Sequence, residues 1–126
     1  MSRLLLAASA LFMAALPSAA LAHPKLLSAS PAANATVAKP TKLTLGFSEK
    51  LIAQLSGIEL MMTGMPGMAN HAPMPIKGFK TDVAADGKTM VVTLPRALPA
   101  GSYDLAWHIV GADQHRMEGK YSFTVK

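Results

Sequence analysis

Five methionines and one histidine crowd into a short stretch, Met61-Met62-Thr63-Gly64-Met65-Pro66-Gly67-Met68-Ala69-Asn70-His71-Ala72-Pro73-Met74. A thioether is a soft, neutral donor whose charge does not change with pH, and soft sulfur ligands select Cu(I) among biological metals. Pro66, Gly67, Pro73 and Pro75 interrupt any helix or continuous strand here. Most of the methionines are therefore expected in a loop, where packing in a core is least available. Methionine's ordinary role is to fill gaps in apolar cores, and the two uses divide within this stretch. Met62 shares strand parity with Ile58 and Leu60, which is the parity of a core residue. Met65, Met68, His71 and Met74 lack such parity. The candidate Cu(I) donors are Met62, Met65, Met68, His71 and Met74.

A second constellation depends on how the chain is processed. Arg3 supplies a short positive region, and Leu4 to Leu16 is apolar but too short to span a bilayer. Ala20-Leu21-Ala22 is a small-residue cleavage pattern. Residues 1–22 read as a signal peptide cut after Ala22, and residues 23–126 as one mature domain. His23 then carries the free α-amine, and its amine and imidazole chelate one ion together, which suits Cu(II). Pro24 has no amide proton to lose. Further donors must come from elsewhere in the chain. Asp113 and His115 lie two residues apart, so in extended backbone both project from one face. His23, Asp113 and His115 form the candidate Cu(II) set. The remaining histidine, His108, sits within a strand pattern on the face opposite Trp107, and a structural or solvated role is expected for it.

These donors need a scaffold. The chain of 126 residues contains no cysteine. The exported fold therefore rests on its core without disulfides, and blue-copper chemistry, which requires a thiolate, is excluded. The formal charge of +5 comes from scattered lysines and arginines rather than a basic run with interleaved aromatics, which argues against nucleic acid. No other long apolar run follows the signal peptide, so the mature chain is expected not to be embedded in a membrane.

Strict alternation marks Lys42 to Ser48, with Leu43, Leu45 and Phe47 on one face, and Thr89 to Leu94, with Met90, Val92 and Leu94. Ser102 to Val110 alternates Tyr103, Leu105, Trp107 and Ile109, and Tyr121 to Val125 alternates its large residues. Gly57 to Met62 and residues 23–30 complete the strands. Asp82 to Lys88 reads as turn material around Asp86-Gly87. No amphipathic helix of ordinary length is present. The fold class is all-β, a sandwich or small Greek-key barrel.

Together these residues resemble the CopC/PcoC family of periplasmic copper-resistance proteins. The likeness runs from His23-Pro24-Lys25-Leu26 through Phe47-Ser48-Glu49 and Met62-Thr63-Gly64-Met65-Pro66-Gly67-Met68 to Asp113-Gln114-His115 and Tyr121-Ser122-Phe123-Thr124-Val125. It implies an immunoglobulin-like Greek-key β-sandwich or barrel of about seven strands with copper sites at opposite ends. It assigns His23 and His115 to Cu(II) with Asp113 nearby, and the Met–His stretch to Cu(I). It also implies a periplasmic carrier or buffer rather than an enzyme, and a monomer is expected. The implied partners are an inner-membrane copper permease or a multicopper oxidase. Three positions depart from the pattern: one extra residue between Met68 and His71, His108 in place of Arg, and Arg116 in place of Pro. The alternative function is a histidine-brace oxidative copper enzyme, which would need an open coordination position and an exposed aromatic platform. Trp107, Tyr103 and Tyr121 all fit core parity instead.

Overall fold

The computed structural model describes residues 24–126, so His23 and the signal segment lie outside the described residues. Two sheets pack face to face. The first contains β1 (Leu26–Ser30), β3 (Lys42–Phe47), β7 (Thr89–Thr93) and β6 (Lys80–Val83), in the order β1-β3-β7-β6. The second contains β2 (Thr36–Val37), β9 (Arg116–Val125), β8 (Gly101–Val110), β4 (Gly57–Gly64) and β5 (Met74–Pro75), in the order β2-β9-β8-β4-β5. Seven strands have four or more residues, and β2 and β5 are two-residue additions at the edges of the second sheet.

The alternation expected from the sequence is what builds the core. Leu43, Leu45 and Phe47 of β3 and Met90 and Val92 of β7 face Ile58, Leu60 and Met62 of β4, Tyr103, Leu105 and Ile109 of β8, and Phe123 and Val125 of β9. No polar or charged residue is buried among the described residues. Trp107 shares the inner parity but is only half-buried, edge-on to Phe47 with ring centroids 5.2 Å apart. Leu27 is the exception on β1. The register slips between Leu26 and Ser28, and the extra residue of this bulge turns outward, leaving Leu27 70% exposed.

The strand that positions both ends of the molecule is β8. All ten of its residues pair with β9, and most of its length also pairs with β4, antiparallel on both sides. At its start, Gly64 of β4 lies opposite Ser102. At its finish, Val110 leads through residues 111–115 into Arg116 of β9. A ten-residue strand is about 30 Å long. The methionine-rich segment after Gly64 and the turn carrying Asp113 and His115 therefore stand at opposite ends of one rigid element.

Four sequence expectations change. Lys80–Val83 is a strand, where Asp82 had been expected to open a turn. Its pattern is polar and its pairing with β7 decides it, through Lys80↔Thr93 to Val83↔Met90. The second strand of that hairpin begins after a turn at Asp86-Gly87, as expected. One Asp86 carboxylate oxygen accepts from the Lys88 and Thr89 amides at 2.8 and 3.0 Å, and the other accepts from the Thr89 hydroxyl at 2.8 Å. The start of β9 reaches back to Arg116, earlier than its apolar alternation suggests. The third change is that β4 runs on to Gly64, and the fourth is that Met74-Pro75 pairs with it. Met61 and Met62 lie in a strand as expected, and Met74 belongs to a strand rather than to the loop.

Tyr103 closes the connection that enters β8. Its hydroxyl donates to the carbonyl of Pro99 at 2.6 Å, four residues upstream, while its ring stacks on Phe123 at 5.5 Å. A tyrosine bonded back to its own entering loop is a recurrent device of immunoglobulin-like sandwiches. Burial pushes the Tyr103 phenol above its usual range, so it stays a donor at every physiological pH. Tyr103→Phe keeps the ring but orphans the Pro99 carbonyl, and should cost about 1–3 kcal/mol. Thermal unfolding checks this: a melting temperature unchanged within a degree or so would show that the bond contributes nothing.

Candidate metal centre

At the β8 entry end, the sequence Met65-Pro66-Gly67-Met68 folds into a tight turn. Pro66 supplies the fixed φ of the first central position, and Gly67 adopts φ +81 at the second, the pairing a type II turn requires. Met65 and Met68 exchange both backbone hydrogen bonds, each at 2.9 Å, and pair as an isolated antiparallel bridge. Residues paired in this way project to the same side, with Cβ atoms about 4.5–5.5 Å apart. Two thioethers are thus presented side by side, with Met65 38% and Met68 55% exposed.

The chain then folds back. The carbonyl of Ala69 approaches so close to Gly64 that a Cβ there would run into it. The His71 amide donates to Thr63 at 3.2 Å, returning the segment to the end of β4. Met74 follows in β5, opposite Met62, and is 50% exposed. His71 is half-buried, with Nδ1 2.8 Å from the Ala72 carbonyl. A carbonyl only accepts, so Nδ1 carries the proton and Nε2 holds the lone pair. Nε2 is enclosed and makes no hydrogen bond to the protein. A backbone acceptor on one imidazole nitrogen, with the other left as an unpartnered base, is the usual preparation of a metal-binding histidine. These residues fit a soft ion.

Met62 differs from them in burial. It is 6% exposed and packs in the core with Ile58 and Leu60, as its parity allows. Its register sets it directly opposite Met74, so the two side chains project to the same side, Met62 enclosed and Met74 open. Met61, on the other face, is half-buried and lies opposite Asp104 of β8 and Pro75 of β5.

At the far end of β8, Asp113 and His115 come together, but in a turn with Gln114 in the left-handed region rather than in the extended backbone expected. The Asp113 carboxylate accepts from the His115 amide at 3.1 Å through one oxygen, and its other oxygen stands 2.8 Å from His115 Nδ1. A carboxylate on Nδ1 orients the ring and directs Nε2 toward a metal. Gln114 takes a left-handed backbone, φ 67, and its amide bonds Gly111 at 2.9 Å, closing the turn. Pro24 is buried against this turn. A Cβ placed on Gly111 would meet Pro24 Cγ at 2.9 Å and Asp113 Oδ1 at 3.0 Å. The start of the described chain is fixed there by Ser48, whose hydroxyl accepts from Lys25 at 2.8 Å and whose amide bonds the Lys25 carbonyl at 2.9 Å.

His23 itself lies outside the described residues, but it precedes a proline wedged beside Asp113. Among the described residues, no three His, Asp or Glu side chains cluster as a metal site. The Asp113–His115 pair is therefore at most part of a ligand set. Glu49 lines the same groove as Pro24 and Asp113, a neighbour that sequence spacing could not reveal. His108 is not at this turn. It is half-buried on the outer face, opposite Glu118 of β9 and Gly57 of β4.

Comparison with known proteins agrees with this architecture. A family model described as the CopC domain matches residues 26–126. The chain is similar to Copper resistance protein C of Escherichia coli, with 48% identity over 107 residues, 85% of this chain and 84% of that protein. It is equally similar, at 48% over 107 residues, to Copper resistance protein C of Xanthomonas campestris pv. juglandis, covering 85% and 83%. Among solved structures it resembles PcoC, described as a methionine-rich copper resistance protein from Escherichia coli. That match has a TM-score of 0.75 and 46% identity, and covers 83% of this chain and all of that one (100%).

The Gly64–Ala69 approach is the tightest constraint on the methionine segment. Gly64→Ala should displace the Ala69 backbone and cost about 1–3 kcal/mol, since the obstacle is main chain and cannot rotate away. Amide spectra check it: shifts should concentrate in residues 61–75, and an unperturbed segment would show that the close approach does not hold it.

Proposed function

This chain belongs to the CopC domain family, it is 48% identical to proteins named Copper resistance protein C, and from that premise we propose that it is a copper carrier or buffer with two chemically distinct sites. The observation that carries the reading is the Met65–Met68 pair, two thioethers held side by side on an exposed turn. Met65, Met68, Met74 and His71 through Nε2 form the proposed Cu(I) site. Thioethers favour that ion over harder metals. The proposed Cu(II) site takes the amine and imidazole of His23, once residues 1–22 are removed, and the imidazole of His115. Asp113 orients His115 through Nδ1 or supplies an oxygen to the ion.

The proposed compartment is the periplasm, entered through cleavage after Ala22. Among the described residues, no helix is long and apolar enough to cross a membrane. The partners that go with this reading are an inner-membrane copper permease or a multicopper oxidase, and the proposed state is a monomer. The oxidative-enzyme alternative has little to stand on in the aromatic residues. Tyr103 is fully buried, Trp107 packs edge-on to Phe47, and Tyr121 is half-buried against the core.

Anaerobic titration of the mature chain with Cu(II) and, separately, Cu(I) tests the proposal, read by EPR and X-ray absorption. One nitrogen-rich Cu(II) centre and one sulfur-rich Cu(I) centre are expected. His23→Ala should weaken Cu(II) by at least about tenfold, since losing a ligand costs no less than losing an outer-shell partner. The double substitution Met65→Leu with Met68→Leu should remove most of the sulfur signal of Cu(I), leaving at most one thioether from Met74, and leave Cu(II) unchanged. Cu(II) binding should also weaken on acidification, because amine and imidazoles ligate only when deprotonated. A Cu(I) centre with the same sulfur signal in the double variant would sink the thioether assignment.

A further inference from the structure

We infer that Met65, Met68 and Met74 are a peroxide-reactive modification site, and that their oxidation switches off the soft copper site while leaving the fold and the hard site intact. The inference deepens the proposed function and rests on the thioether reading of that site.

Its basis is how the structure partitions its methionines. Met65, Met68 and Met74 are 38%, 55% and 50% exposed. Met62 and Met90 are 6% and 0% exposed, inside the core. Met61 and Met117 are half-buried. The sharpest contrast is within one strand pair: Met62 and Met74 lie directly opposite each other, one enclosed and one open. Oxidant access therefore follows the division between donors and core almost residue for residue.

The chemistry is a two-electron oxygen transfer from hydrogen peroxide. The sulfur lone pair attacks one peroxide oxygen, an S–O bond forms and the O–O bond breaks. Sulfur is oxidised, the peroxide is reduced, and the departing oxygen leaves as water after proton transfer. The product, a sulfoxide, is polar and chiral, and methionine sulfoxide reductases reverse it. It offers a hard oxygen where Cu(I) requires a soft donor. Cu(I) on the same lone pairs should in turn protect them, so metal and oxidant compete for the same atoms.

The exposed positions can accept the change without loss of the core. Met65 and Met68 are joined by backbone hydrogen bonds that do not involve sulfur, so the turn survives. Sulfoxide at Met62 or Met90 would instead place a polar group among Leu60, Leu45 and Leu105, with no partner to satisfy it.

The test treats the metal-free mature protein with graded hydrogen peroxide. Peptide mass mapping, thermal melting and separate Cu(I) and Cu(II) titrations are then compared with untreated protein. Expected are sulfoxides at Met65, Met68 and Met74 before Met62 and Met90, a preserved cooperative melt, Cu(I) affinity lower by at least about tenfold, and unchanged Cu(II) affinity. Treatment with reductase should restore Cu(I) binding. Oxidation of Met62 and Met90 at the same rate as the exposed three overturns the site. Selective oxidation with Cu(I) affinity unchanged overturns the switch. Untreated protein that binds no Cu(I) brings down the thioether reading and the switch with it, while the mapping still decides the order of reactivity.

Discussion

The structure depends on β8 being held on both sides. A chain with no cysteine has no covalent brace, so the two-sheet core must supply its rigidity. Strand β8 pairs with β9 along its whole length and with β4 along most of it, and its inner face contributes Tyr103, Leu105 and Ile109. Tyr103 ties its entry to Pro99, and the bridge between Leu51 and Gly111 secures its exit. Every copper donor considered among the described residues is then placed by its relation to one end of this strand or the other. The constraint is mechanical before it is chemical: Met65 and Met68 stand on one turn and Asp113 and His115 on another, each continuous with the end of a paired strand.

The methionines show how strand parity divides one residue type between two uses. Along β4, period-two geometry turns Met62 inward with Ile58 and Leu60 and sends Met61 to the other face. Beyond Gly64 the parity argument stops, because Pro66 and Gly67 reverse the chain. There the reciprocal bonding of Met65 and Met68 sets the side chains instead. The same soft, flexible side chain fills the core in one place and is displayed to solvent a few residues later. Backbone geometry, not side-chain chemistry, decides which.

Much of this was legible in the sequence because it follows from local rules. The alternations of Lys42–Ser48, Thr89–Leu94 and Ser102–Val110 are strong, and each became a strand with its large residues inside, Trp107 only partly so. The core parity of Met62 was visible too. The strand at Lys80–Val83 was not, because its residues are polar and only the register with β7 makes them extended. Met74-Pro75 was hidden by its proline, which is tolerated because β5 is an edge strand. Asp113 and His115 could be paired from their spacing. The burial of Pro24 beside them depends on residues far apart in sequence and could not be read. Nor could the orientation of His71, which is set by the Ala72 carbonyl and by burial of Nε2.

The separation of the two ends bears directly on the proposed handling of copper. An ion held by the soft donors and an ion held by the hard donors would stand about 30 Å apart, the length of a ten-residue strand. No side chain spans that distance, and a strand paired on both flanks cannot fold to shorten it. A change of copper valence at one end therefore cannot be answered by a ligand from the other. If both proposed sites exist, the ion would have to leave the protein, or pass to another molecule, before the second site could take it. Under the two-site reading, this makes valence a release signal: reduction weakens the hold of nitrogen and oxygen donors, oxidation weakens the hold of thioethers, and the rigid fold prevents the protein from compensating. A flexible scaffold carrying the same residues could wrap both donor sets around one ion and would lose that selectivity.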